Sequence, residues 1–152
     1  MRHLALSAVR RYFMMFGLSL LPFSSLRIYV ARICGVQFGR GCYLGFHVYF
    51  DTNYPSLIRI GDGVTISHCV SIHTHTASPA TGRLTSVYNT KSPVTICDGA
   101  WISANSVVLP GVVVGADCMI GAGSIVTKDT EPISLYAGNP ASKIKSIALD
   151  IE

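Results

Sequence analysis

Residues 96–131 read, in blocks of six, ICDGAW, ISANSV, VLPGVV, VGADCM, IGAGSI and VTKDTE. Each block opens on an aliphatic residue, and the beat extends toward the N-terminus. FGRGCY, LGFHVY and FDTNYP run from Phe38, and IGDGVT, ISHCVS and IHTHTA from Ile60. All twelve leading positions are apolar in a chain that is 49% apolar, a coincidence expected about once in five thousand draws, so the period is structural. The fifth position is mostly small or β-branched: Cys42, Val64, Ala100, Ser106, Cys118 and Ser124. An α-helix cannot use this pattern, because 3.6 residues per turn would spread it around the whole circumference. Short strands joined at tight corners can. Each block then forms one face of a triangular prism, with the aliphatic and the small residue pointing inward. Successive coils pair as parallel strands about 4.8 Å apart, and the two open ends need caps.

The register breaks twice. Four extra residues fall between Phe50 and Ile60, around positions 53–57, and a longer excursion, TASPATGRLTSVYNTKSP, spans 76–93 and must leave the prism as a loop. The prism is expected over 36–131, after an N-terminal helical cap at 1–35 and before an irregular tail at 132–152. Within the cap, Leu4 to Leu20 reads as a helix ended by Pro22 and apolar nearly all round. Core packing and docking in a membrane interface, helped by Arg2, Arg10 and Arg11, both stay open for it.

Composition narrows the function classes. The chain has 152 residues, enough for one domain, and only 13% are charged. No basic stripe interleaved with aromatics argues for nucleic acid. The mean hydropathy of +0.44 hints at membrane. Yet the longest uncharged run, Tyr12 to Leu26, is broken by Gly17 and Pro22 and is shorter than the roughly 20 residues that span a bilayer. No A-x-A cleavage pattern follows it, which argues against a secretory signal. Cysteines at 34, 42, 69, 97 and 118 form no C-x-x-C pair, so neither zinc nor disulfides are expected, in keeping with a reducing cytoplasm.

The hexapeptide pattern resembles the left-handed parallel β-helix acyltransferases. ICDGAWISANSVVLPGVVVGADCMIGAGSIVTKD followed by AGNPASKI is similar to the segment shared by galactoside, maltose and related sugar O-acetyltransferases. LPFSSLRIYVARICGVQFG also looks like the lead-in of acyltransferases from capsule and lipopolysaccharide loci. The resemblance implies an all-β fold, a left-handed parallel β-helix with an N-terminal capping α-helix and a short C-terminal tail. It also implies a homotrimer with active sites between subunits, acetyl-CoA as acyl donor and no metal. The implied acceptor is a sugar hydroxyl in surface polysaccharide or glycolipid synthesis, met in the cytoplasm or peripherally at the inner face of the membrane. An amino-sugar N-acetyltransferase, a metal-dependent hydratase and an inactive trimeric binding protein are the alternatives.

Acyl transfer from a thioester to a hydroxyl needs a base, and histidine is neutral and ready near pH 7. Of His3, His47, His68, His73 and His75, the pair in SIHTHTASP lies where the last regular coil before the loop gives way. Overlaying the family's histidine-aspartate element and its following Ser/Thr-Pro on this stretch selects His75, Thr76, Ser78 and Pro79. His75 is the expected base and His73 its reserve. In the sugar acetyltransferases proper the base falls at Ala77, a departure of two residues. The hydratase alternative would set a metal between His73 and His75, with His68 or His47 as third ligand. The resemblance puts the oxyanion-binding N–H at Ala104, after Ser103, with Trp101 walling the groove. Ala122, Thr127 and Lys128 would line the pantetheine path, and Lys143 and Lys145 would meet the 3′-phosphate. His47, Asp51 and Asn53 are the candidates for holding acceptor hydroxyls, with Tyr49 and Tyr54 against a pyranose face, and Asp51 is also a candidate to orient the imidazole.

Overall fold

The computed structural model describes residue 9, residues 11–76 and residues 90–148. Twelve strands of two or three residues realise the six-residue beat. The first coil holds β1 (Gln37–Phe38), β2 (Tyr43–Leu44) and β3 (Tyr49–Phe50), and the second β4 (Ile58–Ile60), β5 (Thr65–Ile66) and β6 (Ser71–Ile72). The third holds β7 (Val94–Ile96), β8 (Trp101–Ile102) and β9 (Val107–Val108), and the fourth β10 (Val113–Val114), β11 (Met119–Ile120) and β12 (Ile125–Val126). Strands three apart in sequence stack in parallel, with Phe38 on Ile60 on Ile96 on Val114. Three faces result: face A is β1-β4-β7-β10, face B contains β2-β5-β8-β11, and face C is β3-β6-β9-β12.

Eleven of the twelve leading residues are buried, and Phe38, at the open end, is half-buried. The small fifth residues lie inside with them, Val64, Val70, Ala100, Ser106 and Ser124 being fully covered. Each large aliphatic removed from water in this way contributes roughly 1.5–3 kcal/mol, which is how such short strands hold together. The corners between faces are tight. A Cβ on Gly39 would lie 2.5 Å from the Gly61 carbonyl carbon, and one on Gly45 2.5 Å from the His68 nitrogen.

The N-terminal end is closed by two helical pieces. Residues 11–20 are helical, through a π-turn at Phe13–Gly17 and an α-turn at Leu18–Leu20, and they bury Met14 and Leu18. Positions 1–8 and 10, including Arg2, His3 and Arg10, lie outside the described residues. The helix stops before Pro22 as its sequence predicts, but a second helix, Ser24–Ile33, follows at once. That helix was not expected as a separate element because its buried side is built on an arginine, and so lacks an apolar stripe. Arg27 is 2% exposed. Its Nε and Nη2 donate to the Leu44 carbonyl at 3.0 and 2.6 Å, and Nη1 donates to the Leu21 carbonyl at 2.6 Å. The guanidinium lies 4.0 Å over the Phe46 ring. The Leu44 N–H donates to Ser24 Oγ at 2.8 Å, while Arg32 Nη2 donates to the Phe38 and Gly39 carbonyls.

The tail is not irregular as its prolines suggest. β13 (Ser134–Gly138) adds to face B beside β11, and β14 (Ala141–Ser146) folds back on it antiparallel through a turn holding a cis Asn139–Pro140 peptide. Pro140 marks a tight reversal, and Gly138, at φ 105°, supplies the positive dihedral the reversal requires. No described helix is long and apolar enough to cross a membrane.

Candidate active site

The corner from face C to face A is where the register breaks, and Asp51 and His75 meet there. Asp51 directly follows β3, its N–H donating to the Ile72 carbonyl of the coil below at 2.9 Å. Its carboxylate is fully buried and receives five donors. The Asn53 and Tyr54 amides reach Oδ1 at 2.9 and 3.4 Å, so the four extra residues begin as a turn wrapped around this side chain. The Thr74 amide and hydroxyl reach Oδ2 at 3.0 and 2.7 Å, and His75 Nδ1 donates to the same oxygen. Burial alone would raise the Asp51 carboxyl. The hydrogen bonds from His75, from Thr74 and from the Asn53 amide outweigh it and hold the carboxyl down at about 2.

An ionised carboxylate only accepts, so His75 Nδ1 carries a proton toward Asp51 and Nε2 is the ring nitrogen left for another partner. Asn53 Nδ2 lies 3.2 Å from that Nε2. Tyr54 meets the imidazole edge-to-face at 5.4 Å, and Lys91 Nζ lies 3.9 Å over the Tyr54 ring. His75 bridges Lys91 across an antiparallel contact, flanked by Ser92 N–H to Thr74 O and Thr76 N–H to Thr90 O, both 2.9 Å. The excursion therefore leaves and re-enters the prism through a hydrogen-bonded neck at the base of the site. Ala77, Ser78 and Pro79 lie outside the described residues.

His73 takes a different position. Its ring packs on Tyr49 at 5.3 Å, and its pKa is lowered by burial, with Asp51 pulling the other way and His75 adding to the drop. His47 stands at the corner from face B to face C, with Nδ1 3.1 Å from Ser19 Oγ, and His68 shares that corner. Among the described residues, no three His, Cys, Asp or Glu side chains converge as a metal site would need.

The residues expected to bind acetyl-CoA divide between two corners. Thr127 and Lys128 follow β12 at the C-to-A corner, two coils beyond His75, and both are exposed. Ser103, Ala104 and Ala122 lie at the B-to-C corner. Ser103 N–H is engaged by the Ile120 carbonyl at 3.0 Å, whereas the Ala104 N–H makes no hydrogen bond among the described residues. Trp101 projects half-exposed from face B, its Nε1–H donating to Ser67 Oγ at 3.2 Å. On the terminal hairpin, Lys143 Nζ is paired with Glu131 Oε2 at 2.6 Å, and Lys145 is exposed. His75 and Ala104 stand at different corners of the prism, with face C between them.

A model of the bacterial transferase hexapeptide, six repeats, matches residues 93–128. The galactoside O-acetyltransferase of Escherichia coli K12 is 35% identical over 121 residues, covering 79% of this chain and 58% of that enzyme. Residues 93–128 thus carry the hexapeptide repeat of bacterial transferases, and the chain is similar to acetyltransferases. Like the curated relative, other curated matches extend well beyond it, and the chain spans little more than half the length of the first two. Two solved acetyltransferase structures agree with the fold. An acetyltransferase of Vibrio cholerae matches with a TM-score of 0.72 over 96% of this chain and 93% of its own, at 22% identity, a likeness of fold alone. A galactoside acetyltransferase in complex with coenzyme A matches with a TM-score of 0.66 over 95% and 82%, at 27% identity. The hexapeptide-repeat coil is left-handed, a hand that periodicity does not supply.

Thr74 and Lys91 escaped the sequence reading. Thr74 is hidden as the residue between two histidines, and its only signal is a polar side chain two residues past the leading Ile72. Lys91 belongs to a loop whose length gives no hint that its two ends pair.

Proposed function

We propose that this hexapeptide-repeat protein is an acetyl-CoA-dependent O-acetyltransferase of sugar hydroxyls, with His75 as general base. One observation carries the reading: the His75 imidazole is held through Nδ1 by the buried Asp51 carboxylate, at the corner where the six-residue beat breaks, and this leaves Nε2 for a substrate. The acceptor hydroxyl replaces Asn53 as the partner of Nε2, and His75 takes its proton as the oxygen attacks the thioester carbonyl. The tetrahedral oxyanion is held by the Ala104 N–H. When the carbon–sulfur bond breaks, the proton returns from Nε2 to the departing thiolate, leaving an acetyl ester and coenzyme A. Asp51 keeps the imidazole in one tautomer throughout and favours the transient imidazolium.

Because His75 and Ala104 occupy different corners, a complete site needs the C-to-A corner of one copy against the B-to-C corner of the next. A cyclic homotrimer supplies three such sites. Ser103, Ala122, Thr127, Lys128 and Trp101 then line the donor groove from both sides, with Lys145 exposed for the 3′-phosphate. The protein works in the cytoplasm, peripherally on the membrane, on a polysaccharide or glycolipid sugar. Thiol release from acetyl-CoA over a panel of pyranosides tests the chemistry. The expected result is an alkali-labile acetyl ester, with the rate falling about 10²–10⁴-fold in His75→Ala. Unchanged turnover in that variant, or no coenzyme A binding by calorimetry, would overturn it.

A further inference from the structure

The first fifty residues hold six arginines, no lysine and no acidic residue, whereas the other 102 hold six Lys and Arg against eight Asp and Glu. The same N-terminal end carries the largest concentration of exposed apolar side chains. Val9 and, in the first helical piece, Tyr12, Phe13, Phe16 and Leu20 are 50–82% exposed. Their spacing of three and four residues places them on one side, opposite the buried Met14 and Leu18. Tyr12 and Phe16 stack with centroids 5.2 Å apart, so an aromatic cluster stands in solvent. In the second helix Leu26, Tyr29 and Ile33 face out while Arg27, Ile28 and Ala31 face the coil. Phe23, between the helices, is 68% exposed.

We infer that the outer sides of these two helices form a docking surface for an anionic lipid bilayer. Apolar and aromatic side chains enter the acyl boundary while exposed Arg11, Arg32 and Arg40 meet phosphate headgroups. A cavity of about 540 Å³ opens between the second helix and the first coil, lined by Ser24, Ser25, Arg32, Arg40 and Tyr43 among others. Ser25 and Arg32 flank Tyr29 on the helix, four residues before and three after, so this cationic recess borders the apolar stripe. Arg40 keeps only a loose ion pair with Asp62, at 3.8 Å, and its side chain is 93% exposed. Charge decides between occupants. A second copy meeting this surface face to face would bring two acid-free, arginine-rich ends together, and a nucleic acid would leave the apolar stripe wet. A bilayer with acidic headgroups satisfies both the charge and the stripe.

This deepens the peripheral location proposed above and rests on that reading for its biological setting, but not on the transfer chemistry. The experiment is co-sedimentation of the full chain with phosphatidylglycerol–phosphatidylcholine vesicles and with phosphatidylcholine alone, beside thiol release on a soluble pyranoside. Binding is expected on the anionic vesicles only, weakening as salt rises. Losing one arginine contact, in Arg40→Ala, should weaken it about fivefold. The paired substitution Phe16→Ser and Leu20→Ser should weaken binding roughly tenfold or more with soluble-sugar turnover retained. Ile144→Ser, which removes an equally exposed apolar side chain at the other end, should leave vesicle binding unchanged. Equal binding to neutral vesicles, no binding to either, or a paired variant that changes oligomeric state without changing sedimentation would overturn the inference. Turnover on soluble sugar that is absent while vesicle binding persists would sink the transfer chemistry and leave the membrane surface standing.

Discussion

Two corners of the prism keep the six-residue beat through four coils, and the third breaks it. The residue after each leading aliphatic records the difference. It is Gly39, Gly61, Cys97 and Gly115 at one regular corner and Gly45, Ser67, Ser103 and Gly121 at the other, against Asp51, His73, Leu109 and Thr127 at the irregular one. At Gly39 and Gly45 the backbone of the next coil lies so near that a Cβ would collide, and where a regular corner is not glycine it holds only Cys or Ser. At the third corner the residues are larger, and two of them, Asp51 and His73, stand where the extra residues begin. The only buried carboxylate among the described residues sits there. Repetition concentrates stability in the faces, and a lapse in repetition frees side chains for chemistry.

The sharpest way to break this division is Ile102→Ala on face B, in the middle of the core. It should cost about 2–5 kcal/mol in denaturant unfolding, while thiol release per folded molecule stays close to wild type. If activity fell out of proportion to folded protein, faces and corner would not be separable. Next in size is the acid limb at the irregular corner. The folded Asp51 carboxyl lies below its ordinary 3.8, so the unfolded chain takes up the proton first as pH falls. Stabilisation of about 2 kcal/mol is therefore present above pH 3.8 and gone by about 2, and Asp51→Asn should lack that sigmoid in unfolding followed across the range. The smallest effect belongs to His73. Its imidazole resists protonation in the folded protein, so stability should decline on acidification below 6.5, and His73→Ala should flatten that slope. A variant as steep as wild type would remove His73 from the polar corner.

The faces were legible because each strand repeats one demand, an aliphatic residue and a small one pointing inward. At the irregular corner the sequence supplied the place and, through the family resemblance, His75 as the expected base, with Asp51 a candidate for more than one role. Two breaks in the beat located the corner, but the pairing of Asp51 with His75 depends on residues 24 apart, which no local period joins. The donors around Asp51 were less visible still, since two of them are the backbone amides of Asn53 and Tyr54. The same limit explains the ends. Ser134–Gly138 and Ala141–Ser146 pair with each other, and the first of them with β11, outside the hexapeptide frame, so the prolines around them read as an irregular tail when Pro140 marks a turn.

The buried Arg27 has a consequence for assembly. A stacked coil ends in a row of unpaired amides and carbonyls, an open template on which another coil could add without limit. On face B that template is spent at Leu44, whose N–H goes to Ser24 and whose carbonyl goes twice to Arg27. On face A the Phe38 carbonyl goes to Arg32. Two arginines and a serine thus occupy the open edge of the first coil at Leu44 and Phe38, so that on faces A and B these groups are closed to a further strand.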